Sequence, residues 1–198
     1  MIEQSHSSGA DGAIVLTDEF DHALELLHGG HDLFLTGKAG TGKSTLIRRF
    51  LSETRRPTLV AAPTGIAALN VGGYTIHRLF GFHPGSTVDH VRSASYRPGR
   101  FAGALAGVRT LIVDEASMIR ADLFDMMAIA LERFGPDPTR PFGGVQLVLV
   151  GDLFQLPPVV TEAEGPDFDA TFTTPYFFSA ERFDRDRFPT VDLTHVFR

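Results

Sequence analysis

Gly37, Gly42, Lys43 and Ser44 occupy the fixed positions of G-x-x-x-x-G-K-[ST] in the stretch TGKAGTGKST, residues 36–45. That spacing suits a polyphosphate. The glycines let backbone N–H groups close in, the lysine adds a point charge at the β/γ-phosphates, and the serine offers a hard oxygen to Mg²⁺. The flanks agree with this. Residues 32–36, DLFLT, read as a short buried strand, and residues 44–53 place Leu46, Ile47, Phe50 and Leu51 at helical spacing. A strand, a glycine loop and a helix N-terminus together aim donors at one anion. Gly37, Gly40, Thr41, Gly42, Lys43, Ser44 and Thr45 are therefore the expected contacts of a nucleoside triphosphate.

In a parallel sheet the ligand lies at the carboxyl ends of the strands. Two other apolar runs end there in polar residues: LIVDE at 111–115 and the run closed by GDLFQLPPV at 151–159. Asp114 is expected to hold Mg²⁺ with Ser44, because Mg²⁺ prefers hard oxygens and keeps part of its water shell. Glu115 is expected to orient and deprotonate an attacking water. Pro157 and Pro158 fix the chain after the strand and remove donors, so Gln155 sits on a stiff loop. A neutral amide there bonds both a γ-phosphate and the attacking water, and so distinguishes ATP from ADP.

These residues need a scaffold. Thr17 reads as an N-cap, followed by Phe20, Ala23, Leu24 and Leu27 along one helical face, and Gly29-Gly30 ends that helix. Further strands are read at 57–62, 110–115, 145–150 (taken as apolar) and 190–193. Short helices are read at 66–69 and 75–80, and a longer one at 119–134 with Leu123, Met126, Met127, Ala130 and Phe134 inward. Apolar strands alternating with helices predict an α/β fold, a parallel sheet covered by helices on both faces. Residues 81–107 read as an irregular excursion with a small helix at 101–105. Residues 161–188 read as a second insertion, PYFFSAERF (175–183) being its ordered piece.

The 198 residues are 43% hydrophobic and 21% charged, as in a globular protein with a real core. The chain has no cysteine, which excludes disulfides and thiolate chemistry, and its eight histidines lack metal-ligand spacing. No signal sequence or membrane span is evident. Residues 1–13 read as a disordered lead, and the expected compartment is the cytoplasm, at the nucleoid if the source is bacterial. A net charge of −6 argues against indiscriminate polyanion binding. Locally the sign reverses: residues 74–109 hold Arg78, Arg92, Arg97, Arg100 and Arg109 against Asp89.

Five ordered stretches, GKAGTGKST, APTGIAALNVGGYTIHRLF, LIVDEASM, GDLFQLPPV and LTHVFR, resemble the first RecA-like domain of the PIF-type DNA helicases, superfamily 1B enzymes related to RecD. The resemblance covers roughly residues 16–198. It implies a P-loop, RecA-like motor domain that hydrolyses ATP with Mg²⁺. It also implies 5′→3′ translocation on single-stranded DNA and unwinding at duplex junctions, in repair, recombination or replication.

Carried over by position, Lys43, Ser44, Asp114 and Glu115 keep the roles argued above, Gln155 matches the γ-phosphate sensor, and Arg198 matches an arginine that stabilises phosphate charge. Pro63, Thr64 and Gly65 match a strand-end loop on the DNA backbone, and Thr75 and His77 match the next DNA-contacting motif. On the residues alone, Thr64 is equally a turn residue and His77 a core-facing helix residue. Arg78, Arg92, Arg97 and Arg100, with Tyr96 and Phe101, offer charge and a stacking face for the strand, or only a solvated loop. Phe20 departs from the family, which has there a glutamine that reads adenine; it is either core or the loss of that readout. A second RecA-like domain is the expected partner, lying beyond this stretch, and the expected state is a monomer. The rival readings are a small-molecule P-loop kinase and an ATP switch that recruits partners without unwinding.

Overall fold

The computed structural model describes residues 17–162 and 164–197. The expected disordered lead at 1–13 and Arg198 lie outside the described residues. Strands β1 (Leu33–Gly37), β2 (Thr58–Ala62), β3 (Tyr74–Thr75), β4 (Thr110–Val113), β5 (Gln146–Val150) and β6 (Thr190–Leu193) form one sheet. Its order is β3-β2-β4-β5-β1-β6, and every pairing is parallel. The helices are α1 (Asp18–Gly29), α2 (Lys43–Glu53), α3 (Gly65–Asn70), α4 (Ile76–Phe80), α5 (Val88–Arg92), α6 (Ala102–Gly107), α7 (Ala121–Phe134) and α8 (Gly165–Thr171).

The apolar strands alternate between two cores, as the two-residue period of a strand requires. Leu33, Leu35, Ile112, Val148 and Val150 pack with Phe20, Leu24, Leu27, Leu46 and Phe50 of α1 and α2. Phe34, Leu111, Val113, Leu147 and Leu149 pack on the opposite face with α4, α6 and α7. Both faces are thus covered, as expected, and the fold is the RecA-like P-loop class. Thr17 caps α1 by accepting from the Phe20 N–H at 3.3 Å, and Gly30 closes the helix in the left-handed conformation.

Four details depart from the sequence reading. The strand at 145–150 is not apolar throughout: Gln146 is buried, and its amide donates to the Leu27 and His31 carbonyls and accepts from Thr110. The supposed irregular stretch at 81–107 contains α5, capped by Thr87, as well as α6. Phe82, Val91 and Tyr96 of that stretch are core residues, which the absence of a long helical period conceals. The insertion at 161–188 is no appendage, because Phe177, Phe183 and Phe188 interlock with Phe124. Arg187 pairs with buried Asp32, whose carboxylate also accepts the Leu147 N–H at 2.6 Å.

Candidate active site

The phosphate loop leaves β1 at Gly37 and enters α2 at Lys43. Gly37 has φ 144°, and a Cβ there would stand 2.6 Å from the Leu193 carbonyl oxygen and 2.7 Å from Thr41 Oγ1, so a side chain is barred by space as well as by conformation. Buried Thr41 ties the loop by donating to the Lys38 carbonyl at 2.9 Å. Lys43 Nζ donates to the Gly37 carbonyl and, at 3.1 Å, to the Lys38 carbonyl, which holds its charge over the loop.

A cleft of about 630 Å³ opens above this loop. Gly40, Thr41, Gly42, Lys43, Ser44 and Thr45 line it with Asp114, Glu115 and Gln155, so three separate sequence stretches meet at one place. Gly37 lies beneath the loop and outside this lining. Asp114 follows β4, and its Oδ1 accepts the Glu115 N–H at 2.9 Å. Glu115 itself has φ 53°, a left-handed conformation uncommon for a residue with a side chain. Strain of that kind, about 1–3 kcal/mol, persists only where the surroundings impose it.

The electrostatics of the two acids follow from their burial. Desolvation pushes the Asp114 carboxyl above the ordinary range, against the Glu115 N–H and the Lys43 charge. Glu115 is raised by desolvation first and by Asp114 second, with Lys43 opposing. Asp152, to which the sequence reading gave no role, also lines the cleft. Burial pushes its carboxyl up, but the Gln155 amide, the Phe154 N–H and the Lys43 and Lys38 charges together hold it below the usual range. The signal for it was available: an acid three residues before Gln155 on a tight turn is a natural anchor for that amide.

Phe20 and Phe197 also line the cleft. Phe20 is 1% exposed, so it is a core residue that also borders the cleft. Phe197 is half-buried, and its N–H donates to the Gly40 carbonyl at 2.9 Å.

The other expected residues lie elsewhere. Residues 63–65 follow β2, while Thr75 ends β3 and His77 follows it in α4, so they share the far edge of the sheet, and none lines the cleft. Thr64 Oγ1 accepts from the Ala67 N–H and Thr75 Oγ1 from the Arg78 N–H, each at 3.2 Å. His77 is half-buried, and desolvation depresses its basicity against the opposing pull of Asp122. Tyr96 offers no stacking face. It is 2% exposed and its hydroxyl donates to the Phe80 carbonyl.

Among the described residues, no three His, Cys, Asp or Glu side chains cluster as a metal cage. Ser44 and Asp114 on one cleft fit Mg²⁺ of another kind, an ion that completes its shell with phosphate and water oxygens. No helix among the described residues is long and apolar enough to cross a membrane.

Comparison with known proteins points the same way. Human ATP-dependent DNA helicase PIF1 is 37% identical over 185 residues, covering 92% of this chain and 27% of the human protein. The Saccharomyces cerevisiae enzyme of the same name is 34% identical, over 93% of this chain and 21% of its own length. The chain thus spans about a quarter of these relatives. The crystal structure of Bacteroides sp Pif1 with ADP-AlF4 superposes at a TM-score of 0.83 with 38% identity, covering 93% of this chain and 43% of that one. Bacteroides Pif1 bound to ssDNA gives 0.82 with 38% identity and the same coverage. Residues 16–198 match the family model described as PIF1-like helicase, and the chain belongs to that family.

Proposed function

We propose that this chain is the ATP-hydrolysing motor domain of a DNA helicase, which drives 5′→3′ translocation on single-stranded DNA and unwinds duplex junctions in repair, recombination or replication. One observation carries the reading: Lys43, Asp114, Glu115 and Gln155 line a single cleft. A nucleotide switch needs the first two. Only hydrolysis needs a carboxylate and an amide facing the position of the γ-phosphate.

The loop N–H groups and Lys43 bind the triphosphate, and Ser44 and Asp114 hold Mg²⁺, which neutralises phosphate charge when bound. Glu115 orients a water and takes its proton. Gln155 fixes that water against the γ-phosphate. Arg198 and a second RecA-like domain are proposed to complete the site from the other side.

The DNA track is assigned to 63–65, Thr75 and His77. Thr64 and Thr75 suit it because each hydroxyl accepts one helix N–H and keeps its own proton to donate to a phosphate oxygen. His77, with its depressed basicity, contributes a neutral ring. Contacts of this type position a strand without reading its sequence.

The test is phosphate release by the full-length protein, with and without single-stranded DNA. Lys43→Ala should weaken triphosphate binding by roughly 10- to 100-fold, the loss of a charge-assisted bond worth about 1.5–3 kcal/mol. Glu115→Gln should bind ATP normally and lose turnover. A Glu115→Gln protein that hydrolyses ATP at the parent rate would overturn the assignment.

A further inference from the structure

The arginines at 74–109 fare differently once folded. Arg92 is neutralised by Glu181 at 3.1 Å and Asp89 at 3.6 Å. Arg97 donates to the Ala94 and Tyr96 carbonyls at 2.8 and 2.7 Å, with its guanidinium over Phe134. The Arg109 N–H bonds the Pro57 carbonyl, at the amino end of the sheet and away from the strand ends that carry the site. Arg78 and Arg100 remain. Both are exposed, and neither has a carboxylate partner among the described residues.

These two are brought together through aromatic rings. The Arg78 guanidinium lies 5.8 Å from the Tyr74 ring centre and that of Arg100 4.9 Å from Phe101. The two rings meet edge to face at 4.8 Å. The result is a ladder, Arg78–Tyr74–Phe101–Arg100, along the outer edge of β3. Its construction is local and specific. Gly81 caps α4 with φ 70° and lies against Pro98, where a Cβ would stand 3.3 Å from the proline carbonyl carbon. That close approach sets the turn at Gly99–Phe101 beside α4.

We propose that this ladder is a footing for single-stranded nucleic acid, extending the track from the β2 and β3 ends past Thr75. The inference rests on the DNA-translocating reading above and adds residues that it does not contain. The chemistry commits to a single strand. Two guanidiniums without carboxylate partners among the described residues, one at each end of the ladder, attract phosphates, and the partly exposed rings between them offer faces to unstacked bases, which a duplex keeps inside. Aromatic packing also limits the guanidiniums' freedom, so less entropy is lost when they take a phosphate. The chain as a whole carries a net charge of −6, which disfavours indiscriminate attraction of a polyanion elsewhere.

The test measures binding of oligo-dT to the full-length protein by fluorescence anisotropy over a range of salt. The Arg78→Ala/Arg100→Ala pair should bind more weakly at low salt. Its log K against log salt should flatten by about 1.4 units, two phosphates at about 0.7 each on a single strand. The Arg92→Ala/Arg97→Ala pair, equal in formal charge, should keep the parent slope. Equal slopes for the parent and the Arg78/Arg100 variant would overturn the footing while leaving the DNA reading intact. Failure of the parent itself to bind oligo-dT would instead remove the DNA reading. Both exposed arginines can be truncated without opening the core, and matching melting curves verify that.

Discussion

Gln155 Nε2 donates to Asp152 Oδ2 at 3.0 Å, so the amide on the lip of the cleft is held by a carboxylate buried beneath it. The other oxygen of Asp152 accepts the Phe154 N–H at 3.0 Å, and the Gln155 N–H bonds the Asp152 carbonyl at the same distance. One acid thus sets both the backbone turn and the direction of the amide. Asp152→Ala should leave ATP affinity within a fewfold of the parent and lower DNA-stimulated turnover. The size expected is up to about 100-fold, the cost of misplacing a positioned group by about 1 Å. A variant with reduced affinity and normal turnover would place Asp152 in binding instead.

Burial raises the Glu115 carboxyl, Asp114 raises it further, and Lys43 opposes both. A base works only when ionised, so hydrolysis should fall as pH drops through a value above the ordinary one for glutamate. Changing Lys43 to methionine should move that limb to still higher pH in whatever activity remains, because the opposing charge is gone. The measurement is a single-turnover pH profile, with Glu115→Gln as the flat reference. An acid limb at or below the ordinary glutamate value would exclude Glu115 as the base.

Much of this site was legible in the sequence because its parts are local. A glycine loop, an acidic strand end and a proline-stiffened turn each carry their chemistry within about ten residues. The strand-to-helix alternation then dictates that they share one edge of the sheet. What was illegible depends on residues far apart in the chain. Tyr96 read as a stacking face, since nothing local reveals that its hydroxyl reaches the Phe80 carbonyl and its ring meets Phe134. Likewise Phe177, Phe183 and Phe188 lie on a stretch without helical or strand period, and only the shape of the sheet's lower core explains them.

The pair Asp32 and Arg187 is another such link, fastening residues 185–187 to the start of β1. Desolvation raises the Asp32 carboxyl, against the Leu147 N–H and Arg187. Removing Arg187 leaves that charge buried with less support, so Arg187→Ala should cost about 3–5 kcal/mol in urea unfolding at pH 7. The sign with pH follows from the raised folded value. Stability linked to Asp32 is full below its unfolded value and is lost as pH rises through the folded one. The deficit of the variant should therefore shrink on acidification, and Asp32→Asn in the same background should recover part of it at pH 7. A deficit independent of pH would show that Arg187 acts only by packing on Phe142.

Phe20 bears on which base the cleft accepts. It is the third residue of α1 after the Thr17 cap, a position where glutamine reaches back to the cap's N–H. Here the side chain is instead spent in the core and borders the cleft with an apolar edge. The polar side chains lining the cleft belong to the phosphate loop, the first turn of α2, and the ends of β4 and β5. On the side of α1 and β6, among the described residues, the cleft is closed by Phe20 and Phe197, whose ring lies 3.5 Å from where a Cβ on Gly42 would stand. Apolar rings hold a base by contact and do not read its hydrogen-bonding edge. ATP and GTP should therefore bind within about tenfold of each other, about 1.4 kcal/mol. Phe197→Ala should weaken both in parallel and leave their ratio unchanged. Phe20→Gln should restore a donor and acceptor at the cleft and shift the ratio toward ATP, because a site built to bond a polar edge rejects the analogue lacking it. Competition against a fluorescent nucleotide reads all of these. If the parent already prefers ATP by far more than tenfold, another group reads the base, and the apolar wall does not set the specificity.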